Sequence, residues 1–281
     1  PNLITAAKER GAKLALLSAR LSESSVRGWA RAPGAARAVL GAFDLVMPQD
    51  DETAARLARF GALEAGRLNL KLVGDPLPVD EAAWAEAETT RSCRPLLLAA
   101  STHPGEEALA MDAFAPLSLR DALLVLVPRH PDRGAEVAAM VRARGWDTAR
   151  RSEGAPFGSS RIYVADTLGE LGLWFRLAGA ALLGGGHAPG VGGHNPLEPA
   201  RLHCPTASGP AVDNWRSVFE GLRRADAVAI APDAYALEAF WRRACYRDPT
   251  LGEQAARAAA FAAAQSGQLD EAVSRLLDLL P

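Results

Sequence analysis

Apolar residues along the chain fall into short runs separated by longer amphipathic stretches, the rhythm of an alternating α/β protein. Residues 12–17 read as a buried strand, followed by the polar turn Ser18-Ala19-Arg20-Leu21-Ser22, in which Ser22 or the nearby Ser24 can cap a helix over 24–40. Residues 43–47 read as the next strand, Asp50 and Asp51 open a helix through Phe60, and 70–73 reads as a third strand. Strand-helix-strand-helix-strand implies a parallel sheet with right-handed crossovers. Gly74-Asp75-Pro76-Leu77-Pro78 breaks the pattern and an acidic, Ala-rich stretch follows. A second series then begins, with strands expected at 96–99, 123–127, 162–165, 180–183, near 205–207 and at 227–230. Helices are expected around 106–117, 133–144, 168–177, 196–202 and 214–224, and the tail 234–280 reads as nearly continuous helix broken at Gly267. The expected organisation is residues 1–78 as the later part of a first Rossmann-like domain, 79–92 as a linker, 93–250 as a second such domain and 251–281 as C-terminal helices packing back on the first.

Composition narrows the class. A chain of 281 residues, 49% hydrophobic and 23% charged, is a globular protein with room for two domains. The formal charge of −2 argues against a general nucleic-acid binder, whose footprint is basic. Arg27, Arg31 and Arg37 with Trp29 give the 24–40 helix a basic face, read as solvated in preference to a face for acidic lipid or phosphate. Cys93, Cys204 and Cys245 form no CxxC pair, a pattern of reduced, mostly buried thiols in a cytosolic setting. No apolar run is long enough to cross a bilayer. The chain opens on Pro1-Asn2-Leu3-Ile4 without an initiator Met, so the expectation is of a fragment whose start lies upstream.

The chemistry collects where doubly wound sheets bind ligands, in the loops after the strands. In order these are Ser101-Thr102-His103-Pro104-Gly105-Glu106-Glu107, Pro128-Arg129-His130-Pro131-Asp132-Arg133, Asp166-Thr167-Leu168-Gly169-Glu170, the glycine-rich loop from Gly184 to Glu198, and Ser208-Gly209-Pro210. Arg129 can grip a phosphate with two bonds, or can form a surface ion pair of little consequence. Helix starts at Thr167 and Asn195 would add partial positive charge to the same place. Glu170 and Glu198 each have two roles open to them, closing a capping box or accepting hydroxyls of a ribose or sugar. The set suits a nucleoside monophosphate joined to a further group. GxGxxG after a strand, GxxxxGK[ST] and GxSxG are all missing, which disfavours dinucleotide oxidoreductases, P-loop enzymes and serine hydrolases. His187 and His194 have no acidic or Cys partner at ligand spacing, so no metal is expected, and Cys204 reads as structural.

Gly193-His194-Asn195-Pro196-Leu197-Glu198, Val127-Pro128-Arg129-His130-Pro131, the Ser101–Glu107 loop and Asp166-Thr167-Leu168-Gly169-Glu170-Leu171 together resemble the bacterial 3-deoxy-D-manno-octulosonic acid (Kdo) transferases of lipid A synthesis. The Ser18–Ser22 turn and Gly209-Pro210 with Asn214 are similar to further stretches of that family. The resemblance implies an α/β fold of GT-B type with two Rossmann-like doubly wound domains, the N-terminal one truncated. It implies CMP-Kdo as donor, a lipid A precursor as acceptor, the cytoplasmic face of the inner membrane as the place of action, and no cofactor. CMP contacts would fall to Pro128 and Arg129, to Leu168, Gly169 and Glu170, and to Asn195, Pro196, Leu197 and Glu198. The family's general base, a Glu in a glycine-containing loop, and an apolar anchor are expected upstream of Pro1. Two departures are the absence of a Lys just after the 70–73 run and Gly186 where Ser is common. Two other classes compete: a non-catalytic CMP-binding remnant and a GT-B epimerase acting on a UDP-sugar.

Overall fold

The computed structural model describes residues 2–280. The chain divides into two compact units, one formed by 1–74 with 263–281 and the other by 75–262.

The first unit holds two parallel strands, β1 (Ala15–Ala19) and β2 (Leu45–Pro48), paired with Ala15 beside Leu45 and Leu17 beside Met47. Leu45, Met47 and Leu68 bury against Ala272 of the C-terminal helix, and the Asn69 amide donates to Gln268 at 3.2 Å. The expected helix over 24–40 is two helices, Glu23–Trp29 and Pro33–Leu40. Pro33 lacks an N–H and restricts Ala32 before it, so the first helix cannot run through. The expected strand at 70–73 is a turn. Asn69 Oδ1 accepts from the Lys71 amide at 3.1 Å and its carbonyl from the Leu72 amide at 2.8 Å, which leaves Leu70 half exposed.

The second unit carries a seven-stranded, wholly parallel sheet: β3 (Leu96–Thr102), β4 (Leu123–Pro128), β5 (Thr148–Arg150), β6 (Ile162–Val164), β7 (Ala180–Leu183), β8 (Thr206–Ser208) and β9 (Ala229–Ile230). Their spatial order is β5-β6-β4-β3-β7-β8-β9. The chain starts in the middle with β3, works outward to one edge, and returns to lay β7 on the other side of β3. Loops leaving β3 and β7 therefore diverge, opening a crevice at that point. Leu96, Leu97, Leu98 and Ala99 are completely buried, as are Leu124, Val125 and Leu126. Such unbroken apolar runs are what a sheet covered on both faces requires.

Several boundaries differ from the sequence expectation. The 79–92 stretch is no linker: Glu81–Arg91 is a helix of the second unit, capped by Asp80, whose Oδ1 accepts from the Ala82 and Ala83 amides at 2.9 and 3.1 Å. The 251–281 boundary also moves, because one helix, Pro249–Leu277, runs through Gly267 unbroken and gives its part from Ala263 to the first unit. The interruption falls earlier, after Cys245, where Asp248 caps the following turn through the Thr250 amide. A single glycine costs a helix about 1 kcal/mol, too little to break one so long. β5 had no apolar signature; Thr148 is its buried residue. Of the three cysteines only Cys204 is buried, its thiol pushed up to about 12 by burial, and Cys93 is exposed.

Candidate active site

A buried carboxylate organises the crevice. Glu106, 1% exposed at the start of the Glu106–Phe114 helix, accepts from the amides of His103 at 2.9 Å, Gly185 at 2.8 Å and His187 at 3.0 Å. Burial alone would raise its pKa, but His187 and the three backbone donors hold it below the usual range. His187 in turn lies with Nδ1 3.7 Å from Glu106, an ion-pair distance too long for a hydrogen bond, and with Nε2 2.7 Å from the Ala231 carbonyl. Burial pushes this imidazole down, yet Glu106 and the Ala231 carbonyl outweigh it and leave its pKa raised. One side chain thus ties the loop after β3 to the glycine-rich loop after β7. The glycines there are dictated by contact. A Cβ at Gly184 would run into the Ser101 carbonyl, and one at Gly186 would stand 2.7 Å from the Gly209 amide nitrogen.

Beside that tether two histidines meet. His103 and His194 lie with Nε2 atoms 2.9 Å apart and rings stacked at 14° with centroids 5.1 Å apart. Both imidazoles have lowered pKa values, chiefly through burial, with His130 and then Arg129 adding at His103, and His103 and then Arg129 at His194, against the pull of Glu106. Arg129 is exposed, and among the described residues its guanidinium has no ion pair. Its backbone amide is pinned to the Thr102 carbonyl at 2.9 Å. The ion-pair reading of Arg129 therefore has no partner to offer. Its neighbour in sequence, Arg133, is by contrast committed: it pairs with the buried Glu107 at 2.6 Å and with Glu136 at 2.8 Å.

Pro128, Arg129, Leu168 and Gly169 line one cavity of about 230 Å³ together with Leu77 and Pro78. Leu168 is 81% exposed, an apolar side chain held open to the crevice. Its loop is anchored from below: Asp166 accepts from Arg150 at 2.8 Å and from the Ser152 amide at 2.9 Å. Glu170 is otherwise occupied. Arg151 binds its carboxylate at 2.6 Å and holds its pKa low, and the Thr167 hydroxyl donates to it as well. Neither expected capping box closes onto a helix amide: Glu170 turns to Arg151, and Glu198 meets the Asn195 side-chain amide at 3.4 Å.

The segment Gly193–Glu198 opens the helix after the glycine-rich loop. Asn195 Oδ1 accepts from the Leu197 amide at 3.0 Å, so the first helical amide is already satisfied. Pro196 and Leu197 are buried, leaving Asn195 and Glu198 as the half-buried polar groups. Burial raises the pKa of Glu198, against the pull of Asn195, Arg129 and Arg201. The expected helix-dipole contributions are smaller than the sequence suggested, since the two helices are Leu171–Leu177 and Leu197–Arg201, short and starting later than Thr167 and Asn195. Sequence reasoning grouped Glu106 with its loop but missed its task, because its partners lie 79 and 81 residues away. It missed the His103–His194 pair for the same reason. A larger cavity, about 660 Å³, lies at the opposite end of the strands, against Pro95, Gly179 and Pro205 ahead of them, remote from this chemistry. Among the described residues no group of three His, Cys, Asp or Glu could hold a metal ion, and no helix is long and apolar enough to cross a membrane.

A family model described as 3-deoxy-D-manno-octulosonic-acid transferase (kdotransferase) matches residues 1–73. A 3-deoxy-D-manno-octulosonic acid transferase of Bordetella pertussis is 36% identical over 301 residues, covering all of this chain and 66% of the relative. The chain spans about half to two thirds of the length of the curated relatives it matches. Among solved structures, the C-terminal CMP-Kdo binding domain of WaaA from Acinetobacter baumannii is 34% identical with a TM-score of 0.60, covering 65% of this chain and 98% of that one. A UDP-GlcNAc 2-epimerase from Neisseria meningitidis matches with a TM-score of 0.60 over 98% of this chain and 72% of its own; at 9% identity that likeness shows the fold alone. The fold class is α/β of GT-B type, with the doubly wound sheet in the second unit and two parallel strands in the first.

Proposed function

The chain belongs to the 3-deoxy-D-manno-octulosonic acid (Kdo) transferase family, and on that premise we propose that it transfers Kdo from CMP-Kdo to a lipid A precursor in lipopolysaccharide biosynthesis. One observation carries the reading to this crevice: on the loop after β4, Arg129 offers an exposed guanidinium that has no ion pair among the described residues and lines a cavity beside the switch point of the sheet. In this proposal the CMP phosphate takes Arg129. The base lies between Pro128 and Leu168 over Gly169, and the ribose hydroxyls reach Glu198 and Asn195. As the bond between phosphate and sugar breaks, charge grows on the phosphate while the sugar passes through an oxocarbenium-like state, and a fixed cation at the phosphate lowers that barrier. The acceptor is a glycolipid presented at the inner-membrane surface, and the chemistry calls on no metal or cofactor.

Calorimetric titration of CMP into the chain, with UMP as control, tests the reading. CMP is expected to bind in preference to UMP, and Arg129→Ala to weaken it by about 1.5–3 kcal/mol, the worth of a hydrogen bond to a charged group. Preference for UMP would favour a UDP-sugar enzyme, and loss of all nucleotide binding would sink the donor-site assignment.

A further inference from the structure

We propose that His187 is a positioning residue that works as an imidazolium, its Nδ1 proton latching the glycine-rich loop onto Glu106, so that donor binding weakens when that proton leaves at alkaline pH. The inference rests on the nucleotide reading above and adds to it a proton that the loop needs.

The contacts of the ring define both nitrogens. Nε2 lies 2.7 Å from the Ala231 carbonyl, which can only accept, so Nε2 carries a proton. Nδ1 is buried and has no hydrogen-bond partner among the described residues, and Glu106 Oε1 faces it at 3.7 Å. A neutral ring would turn a lone pair on a carboxylate, acceptor against acceptor, in a place closed to bulk water. A proton on Nδ1 converts the same contact into an ion pair and leaves the Ala231 bond as it is. Ser208 Oγ, on the end of β8, is also buried and without a partner, so it does not serve Nδ1 in place of that proton. His187 and Ser208 are the chain neighbours of Gly186 and Gly209. A Cβ on Gly186 would stand 2.8 Å from Ser208 Oγ, and one on Gly209 would stand 2.6 Å from His187 Nδ1 and 2.3 Å from the Gly186 carbonyl carbon. Moving the hydroxyl onto the ring would shift two main chains already packed in contact.

The loop feels this proton through one carboxylate. Glu106 Oε1 accepts from the amide of His187 itself at 3.0 Å, and Oε2 from the Gly185 amide at 2.8 Å, where the loop leaves β7. The same loop ends on Asn195 and Glu198, the residues assigned to the ribose. The charged groups facing the ring are Glu106, at the start of the helix after β3, and Asp233, which caps the helix Ala234–Cys245 through the Ala236 amide at 2.8 Å. Both are carboxylates and both favour the cation, and the raised pKa of the ring agrees with the contacts. Loss of the proton sets a lone pair against the carboxylate that holds the loop. A group with a raised folded-state pKa contributes stability below its unfolded value that is lost as pH rises through the folded one. The latch is therefore closed at neutral pH and opens on the alkaline side.

The ring ¹⁵N resonances of His187 in the full wild-type chain test the charge directly. Both nitrogens are expected to be protonated at about pH 7, with a titration midpoint above the ordinary 6.5. Calorimetric titration of CMP from about pH 7 to about pH 9 tests the latch, in a range where a phosphate monoester, with a second pKa of about 6, stays a dianion. Wild-type affinity is expected to fall about tenfold across the His187 midpoint, equivalent to CMP raising that midpoint by about one pH unit, which the same resonances read. His187→Gln, whose amide can still donate to Ala231 but cannot titrate, is expected to bind CMP more weakly than wild type at pH 7 and with no such fall. A residue with only a structural role would weaken binding and leave the pH profile in place. Where the variant is unstable, the wild-type resonances and profile decide by themselves. An unprotonated Nδ1 at pH 7, a flat wild-type profile, or a Gln variant that matches wild type or keeps its decline overturns this inference and leaves the nucleotide reading standing. Failure of wild type to bind CMP at pH 7 overturns both.

Discussion

Glu198 shows how one residue can serve binding at a cost to the fold. Its carboxyl pKa is raised chiefly by burial, with only a 3.4 Å contact to Asn195 and the more distant charges of Arg129 and Arg201 to offset it. A folded-state pKa above the unfolded value means that the stability this group contributes is fully present below the unfolded value and is lost as pH rises through the folded one. Glu198→Gln is therefore expected to raise the melting temperature at about pH 7 and to leave it unchanged near pH 4, where wild type is protonated in both states. The same substitution removes an acceptor for ribose hydroxyls, so CMP affinity should fall by about tenfold in calorimetry. A variant that keeps full affinity would remove Glu198 from the ribose contacts. Arg129 was legible in the sequence as a candidate because a guanidinium after a strand has few local partners. Glu106 was not legible in its role, since a carboxylate opening a helix looks the same whether it serves its own helix or a loop 80 residues on.

At the scale of elements, the loops after β7 and β8 are fitted backbone against backbone. Gly209 and Gly186 touch so closely that a Cβ on Gly209 would overlap the Gly186 main chain and stand 2.6 Å from His187 Nδ1. Backbone cannot swing aside as a side chain can, so Gly209→Ala is expected to destabilise by about 1–3 kcal/mol in denaturant unfolding. CMP affinity should fall with it, because His187 and its neighbours would have to move. Unchanged unfolding would show that the two loops have slack. The buried strands of the second unit were readable as unbroken apolar runs: Leu96-Leu97-Leu98-Ala99 and Leu123-Leu124-Val125-Leu126 admit no other element at that length. The 70–73 stretch misled because Leu70, Leu72 and Val73 mimic a strand, while Asn69 ahead of them takes two of the amides that a strand would need for its neighbour. β5 escaped notice because Thr148 and Arg150 look like loop; its place at the sheet edge asks little burial of it.

At the scale of the molecule, the second unit holds every residue assigned to the nucleotide, and its sheet and helices close a core of their own around Phe114, Val137, Leu237 and Trp241. A protein of residues 75–262 alone is expected to fold and to bind CMP within about threefold of the full chain by the same calorimetry, or 0.7 kcal/mol in round terms. A unit that folds but binds no CMP would place part of the donor site elsewhere in the chain. The division itself could be seen in the sequence at Gly74, but the helix that serves both units could not, because Gly267 signals a break within Pro249–Leu277 where the helix in fact runs on, and only its contacts tell its two parts apart. The Glu106 tether has one more consequence. With its carboxylate holding amides from both central loops, the glycine-rich loop gives up its conformational entropy when the chain folds rather than when a ligand arrives. Flexible residues have been set into a rigid cradle in advance, and a donor entering the crevice spends none of its binding energy on ordering them.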